Sequence, residues 1–145
     1  MKTLLLLVVI MALGLLQVQG HFLEFRRMVQ LVTGRETVTS YGFYGCHCGS
    51  RGRGSPKDAT DGCCAERHCC HKRLKELGCG IRFLRYNFTS NGSQIICANQ
   101  EDSCRSQLCQ CDRRAANCLA RNWDSYSTTL RYYPKWLCHG KAPSC

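Results

Sequence analysis

Negative charge is scarce in this chain: 10 Asp and Glu stand against 20 Lys and Arg, a formal net charge of +10 over 145 residues. A neutral or acidic surface is thereby excluded, and a negatively charged partner is favoured. Long apolar runs are also scarce. After residue 16 no stretch approaches the roughly 20 apolar residues that a membrane-spanning helix needs. A nucleic-acid reading motif is missing too, which argues against the most familiar partner of excess Lys and Arg. Cysteine is absent from residues 1–20, so all fourteen fall within His21 to Cys145.

What is present begins with Met1-Lys2 and the apolar run Thr3 to Leu16, closed by Gln17 and Gln19 with a small-residue boundary at Gly20. Leu4 to Leu16 is too short to span a bilayer, so residues 1–20 read as a secretory signal peptide cut before His21. Residues 21–145 are then one small secreted domain with a modest core. An even, dense cysteine set behind a leader means an oxidising destination and a disulfide framework. The pairing does not follow from the sequence alone.

Tyr41 to His71 is the densest stretch, with six cysteines, six glycines and the aspartates Asp58 and Asp61. Its glycines, Tyr44 to Gly54, allow a loop in which several carbonyl oxygens face one point. Ser55 is expected as a helix N-cap with Pro56 at the first helical position, and Asp58 and Asp61 suit the positive end of the helix dipole. That helix should run to about Leu77, where Gly78-Cys79-Gly80 breaks it. Cys63, Cys64, Cys69 and Cys70 lie on it as two adjacent pairs and can cross-link more than one face.

Elsewhere, Phe22, Phe25, Met28 or Val29, and Leu31 or Val32 recur at helical spacing and predict an amphipathic helix ending near Thr33-Gly34. Phe83 to Phe88 and Gln94 to Cys97 flank a turn signal at Asn91-Gly92, which predicts a two-stranded antiparallel wing. A second long helix is expected from about Asp102 to Arg121, held antiparallel to the first by disulfides. The tail from Asn122 to Cys145 is turn-rich. Asn87-Phe-Thr89 and Asn91-Gly-Ser93 are N-glycosylation acceptors on the exposed hairpin.

Three motifs occur in order and in register: Tyr-Gly-x-Tyr-Gly-Cys-x-Cys-Gly from Tyr41, Gly-x-Gly-x-Pro-x-Asp-x-x-Asp from Gly52, and Cys-Cys, four residues, Cys-Cys from Cys63. Together they resemble the secreted, calcium-dependent phospholipase A2 family, most closely group II. The resemblance implies a mainly α, disulfide-rich fold with an N-terminal helix, a calcium-type loop, two long antiparallel helices and a two-stranded β-wing. It implies seven bridges: Cys46 with Cys138, Cys48 with Cys64, Cys63 with Cys118, Cys69 with Cys145, Cys70 with Cys111, Cys79 with Cys104, and Cys97 with Cys109. It carries the backbone calcium ligands to His47, Gly49 and Arg51, the supporting aspartate to Asp112 and its network to Tyr86 and His71. Phe22, Phe25 and Val29 would line the acyl channel.

Family members hydrolyse the middle ester of a glycerophospholipid, using a helix histidine as general base, an aspartate to orient it and a loop-bound calcium to hold the oxyanion. This chain reads Cys63-Cys64-Ala65-Glu66-Arg67-His68-Cys69-Cys70 where the family has its His-Asp pair. Arg67 takes the position of the base. A free-base guanidinium at pH 7 costs roughly 8 kcal/mol, which would erase most of general-base catalysis. Arg67 could instead pair with Asp112. His68 takes the position of the calcium carboxylate, and imidazole is a poor ligand for a hard, oxygen-seeking ion. Helical neighbours point about 100° apart, so His68 does not simply replace the base. Arg51 stands where the family usually has glycine, at a cost of roughly 1–2 kcal/mol if the backbone there is left-handed. A metal site from His47, His68 and His71 lacks a completing carboxylate or free thiol and is weaker than three polar residues in a cleft.

Two readings follow. The first is a secreted phospholipase A2-like protein, catalytically impaired, that binds anionic phospholipid membranes, heparan sulfate proteoglycans or a receptor, with calcium weak or absent. The alternative is an active calcium-dependent phospholipase A2. The cationic excess suits phosphatidylglycerol or phosphatidylserine surfaces and sulfated polysaccharides. Trp123, Tyr132, Tyr133 and Trp136 could insert at an interface or simply pack.

Overall fold

The computed structural model describes residues 1–18, 20–49 and 51–145, the side chains of 12–18 excepted. Gln19, one of the two polar residues expected to close the leader, lies outside them. Helix α1 (Lys2–Val18) covers the apolar run. Among the described residues no helix is long and apolar enough to cross a membrane.

Helix α2 (Phe22–Thr33) buries Phe25, Met28 and Val29 along one face and ends where expected, at Gly34, whose φ of 70° makes a left-handed cap. A short α3 (Thr37–Tyr41) follows, capped by the carboxylate of Glu36. The two long helices are α4 (Ala59–Glu76) and α5 (Ser103–Arg121). Cys63 early in α4 is bonded to Cys118 late in α5, and Cys70 late in α4 to Cys111 early in α5, which fixes them antiparallel. All seven bridges match the pairing implied by the resemblance, and no cysteine is free. Leu74, Leu108, Ala116 and Leu119 fill the layer between α2, α4 and α5.

Two expected boundaries move. The N-cap of α4 is Asp58, not Ser55, and Pro56 precedes the helix. The Asp58 carboxylate accepts from the backbone N–H of Asp61 at 2.8 Å, whereas the Ser55 hydroxyl donates to the carbonyl of Lys141. The first strand, expected over Phe83 to Phe88, is β1 (Phe88–Asn91), paired with β2 (Gln94–Cys97). Ile81–Phe83 form a 3-10 turn instead. The hairpin loop is Gly92-Ser93, one residue later than the expected turn, with φ of 62° at Gly92. A first central glycine of that hand is the type II′ choice, which matches the strand twist. The tail holds three further 3-10 turns and is tied down by Cys138 and Cys145.

Candidate functional site

The glycine loop is gripped from beneath by Asp61. This carboxylate, fully buried on the first turn of α4, accepts from the backbone N–H groups of Cys46 (2.8 Å), His47 (2.7 Å) and Lys57 (2.8 Å). Gly49 must be glycine: its φ is 88°, and a Cβ there would lie 1.9 Å from the carbonyl oxygen of Gly42. Among the described residues no non-glycine has positive φ.

Across the cleft, Asp112 of α5 is fully buried and saturated with donors. Arg67 Nε donates to its Oδ1 at 2.8 Å, His71 Nε2 donates to the same oxygen at 2.8 Å, and the Tyr86 hydroxyl donates to Oδ2 at 2.6 Å. Burial alone would raise the carboxyl's pKa. The Arg67 charge, followed by the His71 hydrogen bond, overrides it and holds the group well below the carboxylate range. Burial and the Arg67 charge push the His71 pKa down and favour its neutral form, against the opposing pull of Asp112. His21 stands edge-on to His71, ring centres 5.0 Å apart, and burial lowers its pKa to about 4. The Arg67 guanidinium also lies 3.9 Å over the Phe25 ring.

His68 turns to the loop, its Nε2 donating to the carbonyl of His47 at 2.7 Å. His47 in turn directs its own Nε2 to the carbonyl of Gly54 at 2.8 Å. The three histidines weighed as a metal set thus face different partners. Among the described residues no group of three or more His, Cys, Asp and Glu is placed to hold a metal ion. The donor set does not suit calcium: the expected carboxylate is an imidazole, and one expected carbonyl ligand accepts from it.

Phe22 and Phe25 border an apolar cavity of about 220 Å3, together with Tyr41, Ala115 and Leu119. Val29, expected beside them, is fully buried in the core and does not border it. Tyr41 and Leu119 carry no spacing signal toward a channel; the chain fold brings them there. Asn87 and Asn91 are exposed, before and at the end of β1.

A family model described as Phospholipase A2 matches residues 22–131. The chain belongs to the phospholipase A2 family. It is 59% identical to the human "Phospholipase A2, membrane associated" over the whole of both chains. It is also 46% identical to the human "Group IID secretory phospholipase A2", with 94% of each chain covered. The "Basic phospholipase A2 B" of Gloydius halys is 43% identical, over 94% of this chain and 96% of its own.

Proposed function

We propose that this chain is a secreted phospholipase A2-like protein that binds anionic phospholipid surfaces without the calcium-dependent ester hydrolysis implied by its family. One observation carries the reading: Arg67 Nε sits 2.8 Å from Asp112 Oδ1. The carboxylate that should orient a base is neutralising a permanent cation, and Arg67, at the position of the base, cannot accept a proton from water. The leader, residues 1–20, is removed, and residues 21–145 form the secreted domain. Heparan sulfate is a second polyanion that the same charge suits. Asn87 and Asn91, both exposed, are taken as glycosylation acceptors.

The names of the relatives and the 59% identity favour the other reading, an active phospholipase A2. Fatty-acid release from phosphatidylglycerol vesicles decides between them. The unmodified chain should release none above the chelator blank, and an Arg67→His, His68→Asp variant should gain calcium-dependent release. Comparable release by both establishes the hydrolase.

A further inference from the structure

Asn87, just before the β-wing, borders a cavity of about 450 Å3 that shares no lining residue with the apolar cavity beside Phe22. Two carboxylates on its wall are half used. Glu101 accepts the Asn87 backbone N–H on Oε1 at 2.6 Å, and Glu24 accepts Arg85 Nη2 on Oε1 at 2.6 Å. The second oxygen of each, Oε2, is buried without a donor among the described protein atoms, and the Glu24 side chain is only 5% exposed. A buried carboxylate oxygen left unpaired is costly and rare, so two on one cavity call for a ligand that donates.

Charge narrows the class of donor. Glu24 is already paired with Arg85 and Asp102 with Arg105, while Glu101 forms none of the ion pairs among the described residues. The wall has no metal-holding group among the described residues, and a net charge of +10 repels free cations. A neutral ligand rich in O–H and N–H donors fits instead, and the volume lies within the roughly 300–1,000 Å3 of ligand sites. The chain provides an anchor for a sugar. Asn87, in Asn87-Phe-Thr89, is exposed, and its backbone is held on both sides, the N–H by Glu101 and the carbonyl by the Ala98 N–H at 3.1 Å. Asn91, four extended residues or roughly 13 Å further on, does not border the cavity.

We propose that this cavity seats the first N-acetylglucosamine of a glycan carried on Asn87, its acetamido N–H and hydroxyls donating to Oε2 of Glu101 and of Glu24. In the transfer, Asn87 Nδ2 loses a proton and bonds to the anomeric carbon of the sugar. The bond from that carbon to the oxygen of a polyprenyl pyrophosphate donor breaks, and the pyrophosphate leaves with the electron pair. Seated there, the sugar ties together α2, the start of the β-wing and the residues before α5, through Glu24, Asn87 and Glu101. The inference rests on the reading that residues 21–145 are exported and that Asn87 is an acceptor.

The test uses protein secreted by a glycosylating eukaryotic host from the full chain carrying Asn91→Gln, so that Asn87 alone is left. Peptide mass spectrometry reads its occupancy. Thermal midpoints then compare protein trimmed by endoglycosidase to one N-acetylglucosamine with its unglycosylated Thr89→Val counterpart, each with and without Glu101→Ala. The remaining sugar should raise the midpoint by several degrees when Glu101 is present and not at all when it is replaced. Trimming of the folded protein should be at least tenfold slower with Glu101 than without it. If Glu101→Ala is not secreted, Glu101→Gln takes its place, since it keeps the shape and turns a donor toward the sugar. An unmodified Asn87 overturns the proposal together with its assignment as an acceptor. A modified Asn87 whose sugar leaves the midpoint unchanged, or raises it regardless of Glu101, overturns the seat alone and leaves the acceptor standing.

Discussion

His68 donates from its ring to the backbone carbonyl of His47, 2.7 Å away, and so engages an oxygen that the family resemblance assigns to calcium. An N–H donor placed there leaves one expected ligand oxygen already paired and no carboxylate beside it. Millimolar calcium is therefore expected to leave the thermal midpoint of the unmodified chain unchanged. The Arg67→His, His68→Asp variant should gain stability with calcium, by about 2.7 kcal/mol at a hundred times its dissociation constant. Scans with and without chelator measure both, and a matching gain in the unmodified chain would refute the argument.

Breaking the Arg67–Asp112 pair should cost far more than a surface ion pair. The carboxylate is fully buried and the guanidinium nearly so, and removal of one partner strands the other. Asp112→Ala is expected to lose about 3–5 kcal/mol. Tyr86→Phe removes one hydrogen bond to the carboxylate and should lose about 1.5–3 kcal/mol. Denaturant midpoints with disulfides intact give both values; losses near zero would place the pair in a far wetter setting than its burial states.

Much of this was legible because cysteine spacing and helical periodicity are local or family-wide signals. The ends of α2 and α5 follow from them, whereas the bridge pairing came only with the family resemblance. Competition between neighbouring groups was not legible. Ser55 and Asp58 can both cap a helix, and the choice depends on Lys141, far along the chain, taking the serine hydroxyl. The strand boundary moved because Cys97, locked to Cys109, and the Gly92-Ser93 turn set the register from the other side. At the site, Arg67, His68, His71, Tyr86 and Asp112 follow from the family resemblance. Their partners could be named only in part, since the grip of Asp61 on the loop and the approach of Tyr41 and Leu119 to the cavity depend on contacts distant in sequence.

Acidification should destabilise the fold before any carboxylate is protonated. His71 and His21 both have lowered pKa values in the folded chain, so below about pH 6.5 the unfolded chain binds more protons. Stability is therefore full above that pH and is lost as pH falls toward the folded values. Denaturant midpoints at pH 7 and pH 5 should differ in that direction. His71→Tyr keeps a donor for Asp112 and removes one titrating group, so it should flatten the slope; an unchanged slope assigns the effect elsewhere.

Surface binding should depend on one of the two tryptophans. Trp123 stacks on Tyr126 with ring centres 4.5 Å apart and has Arg35 over its ring at 4.2 Å, so it packs. Trp136 is 78% exposed, in a tail region that also exposes Tyr132 and Leu137. Insertion of Trp136 at a lipid interface is worth about as much as burying another large apolar side chain, roughly 1.5–3 kcal/mol, and each Lys or Arg near an anionic surface adds about 1 kcal/mol. Trp136→Ala is then expected to weaken partition onto phosphatidylglycerol vesicles by tenfold or more, with salt weakening both proteins alike. The blue shift of tryptophan emission on vesicle addition should vanish with Trp136 and survive Trp123→Phe. Persistence of the shift in Trp136→Ala would move the contact surface to another face of the molecule.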